Sequence, residues 1–421
     1  MELAVLILKA YVIFEVSVLI VYTIRHIIFT HNRVSGEQRM YYQDIIDAEL
    51  PFVSVMIPMR NEESVADDIL SHLIAAEYPR DKIEIIPIDD HSEDKTKQII
   101  NKYAQRNPDL IKPFHRDNGH LGKTHGLNEA LAIARGEIIL LFDADYVPPK
   151  GIVKDIAVSF KDPEVGAVMG RVIPHNTPKN FLTRILDLER SAGYQVDQQA
   201  RHNMKLIPQF GGTVGGFRKD VVIALGGFNT KILAEDTELT FLLFIHGWKV
   251  VYANRAECFE EVPESWGART RQISRWARGH TQVMLRYWFP VLISRHLSFK
   301  EKLDGILLLN IFVIPLIIFW GIPVALALFF LGEMNILESI LIFLIVATYN
   351  SFGNFAPFYQ IGTASYLDGT KDRIKLLPLF FFSFIFNIVS VSKGSSLAFA
   401  DVMLGRTPKW QKTKRYRNNN H

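Results

Sequence analysis

Several features that would assign the chain to a common class are scarce in its sequence. Only one of the 421 residues is cysteine, Cys258, so no intrachain disulfide can form, which fits a domain facing a reducing compartment. The net charge is only +3, and no basic block is interleaved with aromatic residues, which argues against nucleic-acid binding. No G-x-G-x-x-G follows a predicted strand and no G-x-x-x-x-G-K-[ST] occurs, which disfavours a dinucleotide site and a P-loop.

Long apolar runs, in contrast, are present. Hydrophobic residues make up 48% of the chain and are concentrated in a few segments. Val5–Val21 carries only Lys9 and Glu15 as charges, and Ile306–Leu331 carries none. Each is close to the roughly 20 apolar residues that a helix needs to cross the hydrocarbon core of a bilayer. The sequence therefore predicts membrane association at both ends of the chain.

Residues 1–30 are predicted to be an uncleaved transmembrane anchor. The segment lacks a small-residue cleavage site, and the chain does not begin with a basic run. Arg25, Arg33 and Arg39 follow the apolar stretch, which by the positive-inside tendency places its C-terminal end in the cytoplasm. We therefore expect a protein of the plasma membrane with a cytoplasmic catalytic domain.

The residues from 50 to 268 show the alternation of an α/β domain. Short apolar runs, typical of buried strands, alternate with segments whose apolar residues recur at helical spacing. The predicted elements are strand Val53–Pro58, helix Glu62–Tyr78, strand Ile83–Ile88, helix Thr96–Gln105, helix Leu127–Arg135 and strand Ile138–Phe142. This rhythm predicts a mostly parallel sheet covered by helices.

Polar residues follow three of these strands. They are Arg60 and Glu62 after the first, Asp89 and Asp90 after the second, and Asp143 and Asp145 after the last. Right-handed crossovers bring the carboxyl ends of parallel strands to one edge, where ligands of such sheets bind. Asp143 and Asp145 are two positions apart, so on an extended chain both carboxylates would face one divalent cation. Taken alone, this D-x-D sequence could also be a turn.

Two further stretches carry chemistry. Lys123, where a loop precedes a helix, could neutralise a diphosphate or could be an ordinary surface lysine. The acidic segment Leu233–Glu238 opens a helix after the glycine-rich stretch Gln209–Asn229. Asp236 could cap that helix, or it could act as a general base that takes a proton from an attacking hydroxyl.

Residues 269–300 begin with a helical pattern that combines arginines with aromatic residues. In Arg269–Pro290 the apolar side chains recur every three or four positions, while arginines occupy other positions, as in helices at a membrane interface. Within it, Arg275 could hold a phosphate through two hydrogen bonds, and the indole of Trp276 could carry a sugar ring.

Residues 303–404 are predicted to hold three apolar segments, Ile306–Leu331, Ile336–Tyr359 and Leu376–Val391. If all three crossed the bilayer, the basic tail 405–421 would lie outside, against the positive-inside tendency. We therefore expect the third segment to be re-entrant or interfacial, or the chain to turn back through Ser395–Leu404. Either arrangement makes the tail cytoplasmic.

Four motifs together resemble a known family. They are IDDHSED at 88–94, FDAD at 142–145, AED at 234–236 and QISRW at 272–276. In this order they resemble the D, D-x-D, E-D and Q-x-x-R-W motifs of processive family 2 glycosyltransferases, the membrane synthases of cellulose, hyaluronan, chitin and poly-N-acetylglucosamine. The tail segment 406–415 is similar to the gating segment of these synthases. The resemblance covers nearly the whole chain.

The resemblance implies a GT-A fold, a UDP-sugar donor such as UDP-N-acetylglucosamine or UDP-glucose, and inverting transfer by a hexosyltransferase. It implies the following roles: uridine binding by Asp89 and Asp90; nucleotide binding by Arg60, Glu62, Lys123 and Asp143; Mg²⁺ or Mn²⁺ binding by Asp143 and Asp145; general base catalysis by Asp236; acceptor and diphosphate binding by Glu235, Gln272, Arg275 and Trp276.

The acceptor remains open between two alternatives. The main expectation is a growing β-linked polysaccharide, which needs a stacking platform and an exit through the membrane. The alternative is non-processive transfer of one sugar to a lipid, such as a polyprenyl phosphate, a ceramide or a diacylglycerol. An accessory membrane subunit is a further possible partner, and a catalytically silent scaffold is the hypothesis from a different class.

Overall fold

A computed structural model of the protein describes residues 2–38, 47–333 and 356–406. A seven-stranded sheet with the strand order β3-β2-β1-β4-β6-β5-β7 forms the centre of the chain. Its strands are β1 (Val53–Met59), β2 (Ile83–Asp90), β3 (Phe114–Arg116), β4 (Ile138–Leu141), β5 (Val165–Pro174), β6 (Gly215–Arg218) and β7 (Lys249–Glu260). β1 is parallel to β2 and β4, and β6 is antiparallel to both β4 and β5. The predicted mostly parallel sheet is confirmed.

Helices cover both faces of this sheet. They are α2 (Ala66–Ile74), α3 (Thr96–Arg106), α4 (Lys123–Ile133), α5 (Ile152–Ala157), α6 (Phe181–Ser191), α7 (Gln199–Asn203), α8 (Lys219–Ala224) and α9 (Glu235–Ile245). Along β1, Val55 and Ile57 enter one apolar core while Met56, between them, enters the other. Burial on both faces explains why the strands are continuous apolar runs rather than alternating ones.

Two predicted element bounds differ from the structure for local reasons. The helix expected over Glu62–Tyr78 begins only at Ala66, because the residues after β1 form bends and turns whose backbone amides bond to the loop after β2. The helix expected from Leu127 begins at Lys123, so Lys123 lies in its first turn.

The apolar segments form long helices beside this domain. α1 (Glu2–Ser35) and α14 (Phe380–Leu404) each contain a stretch long and apolar enough to cross a membrane. The predicted apolar segment Ile306–Leu331 is divided between two helices, α11 (Phe299–Asn310) and α12 (Ile314–Phe330), which meet at a bend of 60°. A further helix, α13, covers 356–367.

Two other expectations about this region have different outcomes. A turn back through Ser395–Leu404 is wrong, because α14 continues as one helix from Phe380 to Leu404. Most of the predicted segment Ile336–Tyr359 lies outside the described residues, as does the tail from 407 onward.

The arginine-rich helix α10 (Trp266–Ile293) joins the sheet domain to these long helices. Its predicted apolar face, including Ile273, Ala277 and Met284, is buried. α14 packs closely along it, and the Ser274 hydroxyl donates a hydrogen bond to the Ser390 carbonyl. The helix is therefore packed against protein along much of its length, which the pattern alone did not reveal.

Candidate active site

The D-x-D residues lie at the carboxyl edge of the sheet, but in a turn rather than in a strand. β4 ends at Leu141, and the Tyr146 amide donates a hydrogen bond to the Asp143 carbonyl at 3.2 Å. The Asp143 side chain is 33% exposed, whereas Asp145 is buried. The argument that both carboxylates face one side by strand alternation is therefore wrong, because a turn has no two-residue period.

Lys123, at the start of α4, connects the D-x-D turn to α9. Its Nζ lies 3.0 Å from Asp143 Oδ1, 3.3 Å from Glu235 Oε1 and 3.3 Å from the carbonyl of Gly212. Burial by itself lowers the pKa of Lys123, but the nearby carboxylates, Asp143 first and Glu235 next, raise it above its ordinary value. The lysine is thus a fixed positive charge at the centre of an acidic cluster, and not a solvated surface residue.

Asp236 lies in the first turn of α9, immediately after Glu235. Its Oδ1 accepts a hydrogen bond from the Thr237 amide at 2.7 Å, so the side chain also pairs one of the free backbone amides at the start of α9. Gly212, with φ of +70°, runs so close that a Cβ there would stand 2.9 Å from the Cβ of Asp236. The aspartate is therefore held between a glycine loop and its own helix.

Burial raises the pKa of both acidic residues at the start of α9. For Asp236, the Thr237 amide and the charges of Lys123 and Arg275 oppose the effect of burial without cancelling it. For Glu235, Lys123 opposes burial, while the neighbouring Asp236 raises the pKa further. Carboxyls with raised pKa values are suited to accept a proton near neutral pH.

The two aspartates at the end of β2 have protein partners. Asp89 Oδ2 lies 3.2 Å from His115 Nδ1, and Asp90 Oδ2 accepts a hydrogen bond from the Gly122 amide at 2.8 Å. Asp90 Oδ1 also forms an ion pair with Arg116, whose side chain is fully buried. Asp90 therefore attaches the loop before Lys123 to the sheet, a structural task beside its predicted uridine contact.

The residues after β1 form a tight junction with the same loop region. Asn61 has φ of 52°, and its amide donates to the Ser92 hydroxyl at 2.9 Å. The Glu62 amide donates to Thr96 Oγ1 at 2.8 Å, and Glu62 is buried. Arg60 is partly exposed beside them. Their predicted role in nucleotide binding stays a prediction.

The Q-x-x-R-W residues of α10 divide between two neighbourhoods. The positive charge of Arg275 lowers the pKa of Asp236, so Arg275 lies near the acidic cluster. Gln272 accepts a hydrogen bond from Arg269 at 3.0 Å. The Trp276 ring has the guanidinium carbons of Arg190 and Arg269 at 5.0 and 5.6 Å from its centroid, so arginines already contact this ring. Its predicted stacking on a sugar stays a prediction.

The chemistry of the D-x-D turn fits a hard divalent cation that is shared with a ligand. The described residues contain no group of three or more His, Cys, Asp or Glu side chains arranged to hold a metal ion. Two carboxylates, Asp143 and Asp145, are what Mg²⁺ sites commonly take from a protein when substrate phosphates complete the coordination. The residues present therefore fit Mg²⁺ or Mn²⁺ bound together with a diphosphate.

Sequence reasoning missed several residues that organise the site. Arg116 pairs with Asp90 and Glu129, and Glu260, at the end of β7, pairs with Arg190. Arg116 is the last residue of a three-residue strand, which is too short to detect by pattern. Glu260, in contrast, ends an identifiable strand run, so its position could have marked it.

The chain is similar to known glycosyltransferases in sequence and in fold. A sequence profile described as "Glycosyltransferase like family 2" matches residues 51–279, more than half of the chain. The chain is 33% identical over 284 residues to "Probable glycosyltransferase YdaM" of Bacillus subtilis (strain 168), spanning 67% of this chain and 66% of that protein. It is 33% identical over 255 residues to a "Beta-monoglucosyldiacylglycerol synthase" of Synechocystis sp., spanning 60% of this chain and 53% of that protein. The chain thus aligns with about half to two thirds of these relatives.

A solved structure shares the fold. It is "Mannosyltransferase PcManGT from Pyrobaculum calidifontis in complex with GDP-Man and Mn2+", with a TM-score of 0.59, 22% identity, and coverage of 86% of this chain and 97% of that one. The predicted GT-A fold is confirmed by this likeness, and the predicted glycosyltransferase is confirmed by the profile match. From its sequence and its fold, the chain belongs to glycosyltransferase-like family 2.

Proposed function

We propose that the protein is an inverting glycosyltransferase that moves one hexosyl residue from a UDP-sugar to the hydroxyl of a membrane lipid, such as a diacylglycerol. One observation carries the proposal. Asp236, the acidic residue suited to be a base, is near enough to Arg275 on α10 for the positive charge of Arg275 to lower its pKa. The helix α10 in turn packs along the candidate membrane helix α14. The base would therefore act close to the membrane surface, where a lipid hydroxyl is available.

The donor side would hold the UDP-sugar along the carboxyl edge of the sheet. Lys123 and Arg275 supply positive charge where the diphosphate leaves, and Asp89 and Asp90 lie at the end of β2 for the nucleoside. Asp143 and Asp145 would hold the Mg²⁺ or Mn²⁺. When bound, the cation stabilises the negative charge of the departing UDP.

The transfer itself is a single displacement. Asp236 accepts the proton of the lipid hydroxyl as that oxygen forms a bond to the anomeric carbon. The bond between this carbon and UDP breaks, and UDP leaves with the electron pair. Because attack comes from the face opposite UDP, an α-linked donor gives a β-glycoside. Lys123 stays protonated throughout, since the surrounding carboxylates raise its pKa.

The lipid acceptor is favoured over a growing polysaccharide by the relatives. The Synechocystis protein named above, and two relatives from Nostoc and Trichormus, carry the name beta-monoglucosyldiacylglycerol synthase. A single addition also needs no exit path for a polymer. This makes the non-processive alternative the main proposal and moves the processive polysaccharide synthase to second place.

We also propose the setting of the reaction. The catalytic domain 50–268 would face the cytoplasm beneath the plasma membrane. α1, α14 and the bent pair α11 and α12 would form a multi-pass membrane part, with residues 269–300 at the interface. An accessory membrane subunit would not be required for a single transfer.

The decisive experiment is the chain length of the product. The purified protein in vesicles containing diacylglycerol is incubated with labelled UDP-glucose or UDP-N-acetylglucosamine and with Mg²⁺ or Mn²⁺, and the products are separated and weighed by mass spectrometry. We expect one sugar per lipid and no such product from Asp236→Asn. A polymer of many sugars would instead establish the processive alternative, and absence of transfer to lipid or sugar would refute both.

A further inference from the structure

Glu260 occupies a position between the two halves of the site. It is the last residue of β7 and is 6% exposed. Tyr146 Oη donates a hydrogen bond to Glu260 Oε2 at 3.2 Å. Arg190 donates from Nε to Oε1 at 2.5 Å and from Nη2 to Oε2 at 3.3 Å. A single buried carboxylate thus joins two residues that are distant in sequence.

Tyr146 connects this carboxylate to the D-x-D turn. It follows Asp145 directly, and its amide closes the turn that begins at Asp143. The next residue, Val147, donates its amide to the carbonyl of Phe259 at 2.9 Å, so the backbone on both sides is also paired. The position of the turn is therefore tied to the end of β7.

Arg190 connects the same carboxylate to the acceptor side. Its guanidinium carbon lies 5.0 Å from the centroid of the Trp276 ring on α10. Arg269 approaches that ring as well and donates to Gln272. Displacement of Arg190 would therefore change the surroundings of Trp276.

Tyr146 and Glu260 are buried, and the Arg190 side chain is 18% exposed. The Tyr146 hydroxyl is the donor in its contact with Glu260, because a carboxylate oxygen only accepts hydrogen bonds. Burial lowers the pKa of Arg190, but Glu260 outweighs that effect and the pKa is raised. Removal of the Glu260 carboxylate would leave the partly buried guanidinium of Arg190 without this partner.

We propose that Glu260 is a positioning residue for the transfer reaction: through Tyr146 it holds the metal-binding turn, and through Arg190 it holds Trp276. The inference rests on the proposed function for the roles of the turn and of α10. In this proposal the end of β7 fixes the position of the D-x-D turn relative to Trp276 on α10. Residues that orient metal ligands from behind typically affect metal affinity or activity about 10- to 100-fold.

The test separates the two connections by three variants. Glu260→Gln should raise both the Mn²⁺ half-saturation constant and the acceptor KM, each about 10-fold, and lower kcat about 10- to 100-fold. Tyr146→Phe should raise only the Mn²⁺ constant, and Arg190→Lys should raise only the acceptor KM. Combining Glu260→Gln with Tyr146→Phe should raise the Mn²⁺ constant no further than Glu260→Gln alone, because both changes break one connection.

The readouts do not depend on the identity of the product. Release of UDP from the donor gives the kinetic constants, and Mn²⁺ binding to the protein with UDP is followed directly by the loss of the free-ion paramagnetic resonance signal. Glu257→Gln is the matched control, because it lies three residues away on β7 with a 40% exposed side chain. We expect its constants to equal those of the wild type.

Two results would overturn the inference. In one, Glu260→Gln lowers kcat while the Mn²⁺ constant and the acceptor KM stay unchanged, as a smaller amount of folded protein would do. In the other, Tyr146→Phe and Arg190→Lys each move both constants equally. A polymeric product would refute the lipid acceptor but would leave this separation of constants interpretable, so the two failures are distinguishable.

Discussion

Two pairs of neighbouring acidic residues lie at the same edge of the sheet, and their surroundings differ. Asp89 and Asp90 follow β2 and meet donors from His115, Arg116 and the Gly122 amide. Glu235 and Asp236 open α9, where burial raises the pKa of both despite the nearby Lys123, and the Asp236 charge raises the pKa of Glu235 further. Hydrogen-bond donors surround the first pair, whereas burial dominates the electrostatics of the second.

The difference indicates a division of labour within one motif set. A carboxylate whose oxygens accept bonds from buried donors holds a loop in place, and here that loop leads to Lys123. A carboxylate whose pKa is raised by burial is costly to the fold and is suited to proton transfer. Substitutions in the two pairs should therefore have different effects on activity and on stability.

Replacement of Asp236 should have opposite consequences for activity and for stability. Asp236→Asn should lower kcat about 10² to 10⁴-fold, since that is the usual contribution of a general base. It should also raise the melting temperature in detergent, because the ionised carboxyl is disfavoured in the folded state, as its raised pKa shows. Transfer rates and thermal unfolding of the same preparation check both. Unchanged turnover would remove Asp236 from the role of base.

Replacement of Lys123 should remove the positive charge that lies beside Glu235 and Asp143. Lys123→Met removes the partner of Asp143 and Glu235, and we expect kcat to fall about 10² to 10³-fold, as for loss of one preorganised electrostatic group. Lys97→Met is the control, because its ion pair with Asp117 is exposed. If Lys123→Met and Lys97→Met behaved alike, the acidic cluster would not serve the leaving diphosphate.

Replacement of Asp90 should affect stability more than chemistry. Asp90→Asn breaks the buried ion pair with Arg116 and weakens the contact to Gly122, at a cost of about 1 to 3 kcal/mol in the free energy of unfolding. Arg116 retains Glu129, which limits the loss. Denaturant unfolding and kcat at saturating UDP-sugar measure the two effects. A loss of kcat as large as that of Asp236→Asn, with unchanged stability, would contradict the division proposed here.

The smallest expected effect is a shift in pH dependence. Burial raises the pKa of Asp236, so the base is protonated at pH values where an ordinary aspartate is still ionised. The acid limb of kcat should therefore lie above the usual aspartate range, and activity should fall as the pH decreases through it. Stability contributed by the protonated carboxyl should be full at low pH and decline as the pH rises through the same window. A limb at the ordinary aspartate pKa would refute the assignment.

The sequence was sufficient for the architecture, but not for how the candidate site residues are arranged. Apolar runs predicted β1, β2 and β4 within one or two residues, because strands buried on both faces have a clear pattern. The D-x-D residues were placed correctly at the edge of the sheet, but they were expected to be extended and instead form a turn. Where a strand ends depends on the hydrogen bonds that the following residues make.

Long-range pairs were beyond sequence reasoning. Glu260 and Arg190 are separated by 70 positions, and only the tertiary fold brings the end of β7 next to the end of α6. Similarly, apolarity identified Ile306–Leu331 as a segment long enough to cross a membrane, but it did not reveal the bend of 60° between α11 and α12.

The crossing of α10 and α14 has a consequence for substrate choice. At Gly394 the two helices approach so closely that a Cβ would stand 2.2 Å from the carbonyl oxygen of Ser274. One hydrogen atom in place of a side chain therefore sets how closely the candidate membrane helix α14 packs against α10, the helix that carries Arg275. Gly394→Ala should push α14 and α10 apart. We therefore expect it to change which acceptor lipid reacts fastest in a series whose spacer between the hydroxyl and the acyl chains increases in length.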